Sequence, residues 1–255
     1  MHIAYPPPLP HGPIRQLLPD FFVVRGQARV APGVLVNRNM GIVRIDDDLL
    51  LVNPIRLTRL QEERLCDLGN VRQAVRLGYF FGCDDLYYRD RFNVFFWRQH
   101  HSDYYPVPAA DEFLQEGGSC PIPDGQVFEF SHSEIPEAAL YVPNSGGLLL
   151  TGDSLQYWSS WTACNWAGRW ALRLSGMHRG MQVSPAWCRR ATPQGENYQR
   201  WLATDFQRLL DLPFQHMLAG HGDFCADRAH ELAERAVAAS FSASLKARNT
   251  RDTRH

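Results

Sequence analysis

The strongest constraint on the fold comes from two apolar segments, each followed by a glycine and a polar residue. Residues 148–151 are Leu-Leu-Leu-Thr and lead directly into Gly152 and Asp153, and residues 216–219 lead into Gly220 and His221. Short apolar runs bounded by glycine are typical of buried strands. Asp84 likewise follows a predicted strand, over 71–77. Because strand ends gather at one rim in layered α/β folds, we expect the side chains of Asp84, Asp153 and His221 to lie close together.

Strand and helix patterns alternate along the rest of the chain. A helix is predicted over 58–68, where Thr58 and Gln61 have the spacing of a capping box. We expect a further short helix over 111–115 and a mostly helical aromatic segment over 154–177. Strands are predicted over 21–25, 33–37, 41–45, 49–52, 71–77, 94–97, 126–130, 138–142, 148–151 and 216–219, and other helices over 86–92, 196–210 and 227–245. This order fits two mixed sheets covered by helices.

Length, charge and cysteine content narrow the class of protein. The 255 residues suit one large α/β domain, which we place over 21–255, after an irregular arm over 1–20 that carries six prolines. A formal net charge of −1 argues against a dedicated nucleic-acid binder. The six cysteines form no C-x-x-C pair, and we expect reduced thiols in a cytoplasmic protein. We see no secretory signal and no apolar run long enough to span a bilayer, so we expect no membrane partner.

Three landmarks lie in order over roughly residues 20–240 of the chain. The first is a predicted hairpin over 37–54, the second is the turn Gly152-Asp153-Ser154, and the third is the turn Gly220-His221-Gly222. In this order they resemble the metallo-β-lactamase superfamily, with Asn53 in place of the aspartate that usually ends the opening hairpin. The resemblance implies an α/β (α+β) fold, the four-layer αββα sandwich of the metallo-β-lactamase type.

The signature loop of that family, H-x-H-x-D-H, is degenerate here. It matches residues 80–85, with Phe80 and Gly82 where the two leading histidines belong. Asp84 matches the aspartate of the motif, and Asp85 stands in place of its third histidine. Since neither phenylalanine nor glycine offers a side-chain ligand atom, the resemblance implies that a full two-metal centre cannot assemble.

The resemblance also assigns the remaining candidate ligands. Asp153 matches the bridging aspartate, His221 matches the last histidine, and His132 is the candidate for the middle histidine, about one residue out of register. With Asp84 and Asp85 they predict at most one divalent ion, Zn, Fe or Mn, or none. Asp84 is also the candidate catalytic residue, beside a metal-bound water that attacks an ester, amide or phosphoester bond.

A structural role competes with three of these assignments. Asp84 and Asp85 open a predicted helix, and Asp153 precedes another, so helix capping explains the same residues. The alternative function is a non-catalytic binding protein that keeps the fold and has lost its metal centre. Loss of the leading histidines favours this alternative, and retention of Asp153 and His221 opposes it.

The segment after Asp153 is rich in aromatic and basic residues. We predict that Trp158 or Trp161 lines the mouth of the site, because this segment leaves directly from the aspartate. Five arginines follow, and such a group either binds an anionic substrate or forms a solvated face. We expect a small-molecule substrate, and neither nucleic acid nor a membrane as partner.

Overall fold

A computed structural model describes the backbone of residues 5–192 and 196–252 and the side chains of residues 5–192 and 199–242. Residues 1–4 of the predicted arm and 253–255 of the predicted domain lie outside the described residues, as do 193–195.

A seven-stranded mixed sheet forms the first half of the chain, with its strands in sequence order. The strands are β1 (Arg15–Leu18), β2 (Phe21–Ala31), β3 (Val34–Ile45), β4 (Asp48–Val52), β5 (Asn70–Val75), β6 (Phe95–Gln99) and β7 (Glu112–Leu114). β1 to β4 pair antiparallel, and β4 to β7 pair parallel.

A second sheet of four strands has the order β13-β10-β9-β8, and β11 pairs with β12 as a separate ribbon. These strands are β8 (Gln126–Glu129), β9 (Ala138–Val142), β10 (Leu148–Thr151), β11 (Leu155–Trp158), β12 (Gly180–Val183) and β13 (His216–Ala219). The helices are α1 (Arg59–Leu68), α2 (Asp85–Phe92), α3 (Trp166–Leu174), α4 (Pro185–Ala191), α5 (Glu196–Leu209) and α6 (Ala229–Asp252).

Alternation along the strands builds four layers. In β4, Leu49 packs into the core beneath α1 and α2, while Leu50 packs into the core between the two sheets. In β10, Leu150 joins that central core, while Leu149 packs against the helices on the far side. Because successive strand residues point to opposite faces, each central strand serves two cores. The αββα sandwich expected from the resemblance is confirmed.

Several predicted elements differ in the structure. The helix expected over 111–115 is the edge strand β7, where pairing with β6 buries Leu114. The segment 154–177 begins with the strand β11, and its helical part is only α3. The segments 33–37 and 41–45 are one continuous strand, β3, paired with β2 over nearly its whole length.

Two further corrections concern the arm and the first helix. The arm expected to be irregular contains the strand β1, which pairs with β2. The capping box of α1 is wrong, because the side chain of Thr58 makes no cap hydrogen bond. Gln61 instead accepts a hydrogen bond from the backbone N–H of Ile14 at 2.9 Å, and so ties the arm to α1.

Candidate functional site

The ends of two parallel strands bring Asp153 and His221 together. β10 and β13 pair in register, with Thr151 opposite Ala219, so the turns that follow them lie side by side. The imidazole Nε2 of His221 lies 3.3 Å from the Oδ1 of Asp153. The expectation that Asp84, Asp153 and His221 meet at one rim is therefore confirmed for Asp153 and His221.

A hydrogen bond to the backbone orients the imidazole of His221. Its Nδ1 contacts the backbone carbonyl of Asn37, which can only accept, so Nδ1 carries a hydrogen. This contact turns Nε2 toward the carboxylate of Asp153, at ion-pair distance. Burial raises the pKa of Asp153, against the lowering effect first of His221 and then of Arg190.

Glu137 supports the turn that carries Asp153. Its carboxylate accepts the backbone N–H of Asp153 at 2.9 Å and that of Ser154 at 2.8 Å. Gly152 permits this approach, since a Cβ there would lie 2.9 Å from the Cδ of Glu137. Burial, and then the charge of Asp153, raise the pKa of Glu137. Sequence reasoning missed this residue, because a glutamate after a proline has no pattern that sets it apart from a loop residue.

Arg38 places a buried cation beneath the signature loop. This β3 side chain is 3% exposed and donates to the Sγ of Cys83 at 2.8 Å, to the carbonyl of Pro54 at 3.0 Å and to the carbonyl of Phe81. A guanidinium keeps its charge at any ordinary pH. Burial raises the pKa of the Cys83 thiol, although Arg38 lowers it. Sequence reasoning missed Arg38 as well. The available signal was an arginine inside a strand whose neighbours are apolar or amide residues.

The two aspartates of the signature loop have different surroundings. Asp85 is fully buried, with its Oδ2 3.3 Å from the Nη1 of Arg76. Asp84 accepts the backbone N–H of Arg56 at 3.1 Å and lines the cavity described below. Asp84 occupies the N-cap position of α2, but its side chain makes no cap hydrogen bond, so capping does not explain it.

His132 lies apart from this rim. Its Nδ1 lies 2.9 Å from the Oδ1 of Asp205 on α5, and its backbone N–H donates to the other oxygen of the same carboxylate at 2.8 Å. Its side chain is outside the lining of the cavity.

The candidate ligands, as they are placed, do not fit a metal ion. Within the part of the chain that the structure describes, no three His, Cys, Asp or Glu side chains are arranged to hold one. Asp153 and His221 make a pair, Asp85 faces Arg76, and the cation of Arg38 lies under the loop. A metal role for the five predicted residues stays a prediction.

A cavity of about 910 Å³ opens at this rim and is lined by Asp84, Asp153 and His221. The lining has two aspartates but four arginines, namely Arg29, Arg38, Arg56 and Arg190. Its aromatic lining comprises Phe80, Phe81, Tyr104, Tyr105, Trp158 and Trp187. The prediction that Trp158 or Trp161 lines the site is confirmed for Trp158, which is buried in the cavity wall.

The layers and the polar rim together define a metallo-β-lactamase type of fold, and solved structures agree. The chain is similar to VMB-1, with 12% identity, a TM-score of 0.64, and coverage of 91% of this chain and 97% of that one. It is similar to the DIM-1 metallo-β-lactamase, with 14% identity, a TM-score of 0.59, and coverage of 92% and 100%. It is also similar to FIM-1 from Pseudomonas aeruginosa in its mono-zinc form, with 13% identity, a TM-score of 0.60, and coverage of 95% of this chain and 100% of that one.

No family model and no curated protein matches the sequence. At these identities the likeness establishes the fold, and the chain has the metallo-β-lactamase fold.

Proposed function

We propose that this protein binds a small acidic molecule in the rim cavity and that it does so without a metal ion. The observation that carries the proposal is the buried guanidinium of Arg38, which lies beneath the signature loop and bonds the carbonyl of Phe81 and the thiol of Cys83. A permanent cation held by the protein disfavours a second cation nearby. This function corresponds to the binding-protein alternative drawn from the sequence.

Unsatisfied donors support an acidic ligand. The Nε of Arg38 and the indole Nε1 of Trp187 are buried, and neither has a hydrogen-bond partner among the described residues. Both residues line the cavity. Buried donors are normally paired, so a ligand that brings oxygen acceptors would satisfy them.

The remaining lining suits the body of such a ligand. Aromatic rings make up much of the wall, and Arg190 lies over the ring of Phe80, with 5.4 Å from its guanidinium carbon to the ring centroid. Small-molecule sites combine mostly apolar walls with a few placed polar groups. An aromatic or aliphatic acid therefore fits the chemistry of this cavity better than a neutral polar compound.

The second candidate is a hydrolase with one metal ion. The pair of Asp153 and His221 favours it, since both side chains line the cavity and lie 3.3 Å apart. It requires a third ligand, and Asp84, which also lines the cavity, is the candidate for it. Its substrate would carry the ester, amide or phosphoester bond expected from the sequence.

A fluorescent aromatic sulfonate separates the two functions. Binding of 8-anilinonaphthalene-1-sulfonate is measured by fluorescence, with and without EDTA, beside its uncharged parent anilinonaphthalene. We expect the sulfonate to bind about tenfold more tightly than the parent, and EDTA to have no effect. Equal binding of both compounds, or loss of binding in EDTA, would overturn the proposal.

Adjacent arginines on α4 supply a matched pair of variants. Arg190 lines the cavity, whereas Arg189 lies outside its lining and donates to the carbonyl of Ser175 at 3.2 Å. Both are exposed, so neither substitution should prevent folding. Arg190→Gln should weaken sulfonate binding about fivefold or more, and Arg189→Gln should leave it unchanged.

A further inference from the structure

Helix α3 presents an apolar stripe to solvent. Trp166 is 76% exposed, Trp170 is 57% exposed and Leu174 is 84% exposed. Residues four apart lie one above the other on a helix, so these three side chains form one continuous face. Arg169 and Arg173 are also exposed and lie between them on the same face.

The opposite face of α3 holds the helix to the protein. Gly168 packs so tightly on β3 that a Cβ there would lie 2.1 Å from the carbonyl oxygen of Leu35. Asn165 caps the helix by accepting the N–H of Gly168 at 2.8 Å, and donates to the carbonyl of Gly33 at 2.8 Å. The helix is therefore anchored without its apolar stripe, and the exposed tryptophans are not needed to hold it in place.

The region around this stripe carries charge of one sign. No acidic residue occurs between Asp153 and Glu196 in the sequence. The same stretch contains five arginines, all exposed, so it carries a formal charge of +5 in a chain whose total is −1. They are Arg169, Arg173, Arg179, Arg189 and Arg190.

We infer that this face of α3 docks on an anionic phospholipid surface. Tryptophan and leucine partition into the headgroup region of a bilayer, and arginines beside them are attracted to anionic lipids. Arg173 is suited to such a boundary, because its guanidinium carbon lies 4.9 Å from the ring centroid of Trp161 and 5.5 Å from that of Trp170. A second copy paired through the same face would bring arginines against arginines, which favours lipid as the occupant.

Docking on a lipid surface does not require a helix that spans the membrane. It does depart from the expectation, drawn from the sequence, of no membrane partner. No helix within the described residues is long and apolar enough to cross a membrane. The same helix faces the cavity through Ala171 and Leu172. A protein held by α3 would therefore keep its cavity beside the lipid surface, independently of whether the ligand proposed above is correct.

Vesicle co-sedimentation of the full chain tests the inference. Vesicles of phosphatidylcholine alone are compared with vesicles in which about a third of the lipid is phosphatidylglycerol. We expect binding to the anionic vesicles at least about tenfold tighter, weakening with salt, together with a blue shift of tryptophan emission. Absence of binding to anionic vesicles by the unmodified protein would overturn the inference.

Exposed residues on two helices give a matched pair of substitutions. Leu174→Ser should weaken vesicle binding about fivefold, while Leu60→Ser, on the acidic helix α1 and 62% exposed, should not change it. Arg173→Gln should weaken it about fivefold. Circular dichroism checks that each variant is folded. Docking on lipid would be contradicted if the Trp166→Ser/Trp170→Ser/Leu174→Ser variant bound vesicles as well as the unmodified protein. It would also be contradicted if the unmodified protein formed a dimer that this variant could not form.

Discussion

The buried pair of Arg76 and Asp85 is the sharpest place to test the account of the signature loop. Both side chains are fully buried, with 3.3 Å between Nη1 and Oδ2. The oxygens of Asp85 have no hydrogen-bond partner among the described residues, so its interaction is purely one of charge. Arg76 has further partners, since it donates to the carbonyls of Tyr105 at 3.2 Å and Ser102 at 3.4 Å.

Removing Asp85 alone should destabilise the protein strongly. Two unit charges at this separation attract by about 5 kcal/mol at an effective dielectric of about 20. Breaking a buried pair from one side costs about 3–5 kcal/mol, because the other charge stays buried without compensation. We expect the lower end of that range for Asp85→Ala, since Arg76 keeps its two carbonyl acceptors. In a chain of this size the loss lowers Tm by about 10 °C.

Removing both charges should lower the free energy of unfolding much less than removing one. Burial raises the pKa of Asp85 to about 7 even though Arg76 lowers it, and burial lowers the pKa of Arg76. Desolvation therefore outweighs the attraction between the partners, and apolar residues of similar volume can replace such pairs at little cost. The variant Arg76→Met/Asp85→Leu should be within about 1 kcal/mol of the unmodified protein.

A double-mutant cycle of the unmodified protein, Arg76→Met, Asp85→Leu and Arg76→Met/Asp85→Leu, followed by urea denaturation, measures the coupling. We expect a coupling energy of about 2–4 kcal/mol. Additive effects of the two single substitutions would refute the reasoning, and so would an Asp85→Ala variant as stable as its parent. A metal content that changes with Asp85 while stability does not would restore its role as a ligand.

Three other predictions test the signature loop and the rim. The pKa of Asp85 is higher in the folded than in the unfolded protein, so the folded state binds the proton more tightly. The stability of the unmodified protein relative to Asp85→Asn should therefore fall as pH rises from about 4 to about 7. Urea denaturation at several pH values measures this difference. Glu137→Gln removes one of two acceptors for backbone N–H groups and should cost about 2 kcal/mol by thermal denaturation, while the exposed Glu134→Gln should cost almost nothing. Gly220→Ala would place a Cβ 2.3 Å from the Cζ of Phe81, and should weaken sulfonate binding in the fluorescence assay; unchanged affinity would contradict the packing described for the rim.

The layers of the fold were predictable because they follow from local pattern. The apolar run of β10 and the glycine that follows β13 are patterns of neighbouring residues, and parallel strand ends must share a rim. The meeting of Asp153 and His221 follows from the same reasoning. By contrast, β7 is a strand of three residues whose pairing with β6 outweighs local preference, and sequence alone suggested a helix there.

The polar supports of the rim were not predictable, because each bridges distant segments. Glu137 meets the turn at Asp153 across 16 positions, and Arg38 meets Phe81 across 43. Only the folded sheets bring these segments together. The resemblance assigned roles by position in a motif, and it could not show that Asp85 is buried against Arg76.

Metal content tests the central claim most directly. The purified protein, dialysed against Zn, Mn or Fe(II) and then against metal-free buffer, is analysed by mass spectrometry for metal per chain. We expect far less than one equivalent, with sulfonate binding unchanged. One equivalent that Asp153→Ala removes would support the one-metal hydrolase instead, and two equivalents would contradict both the proposed function and the loss of the two-metal centre.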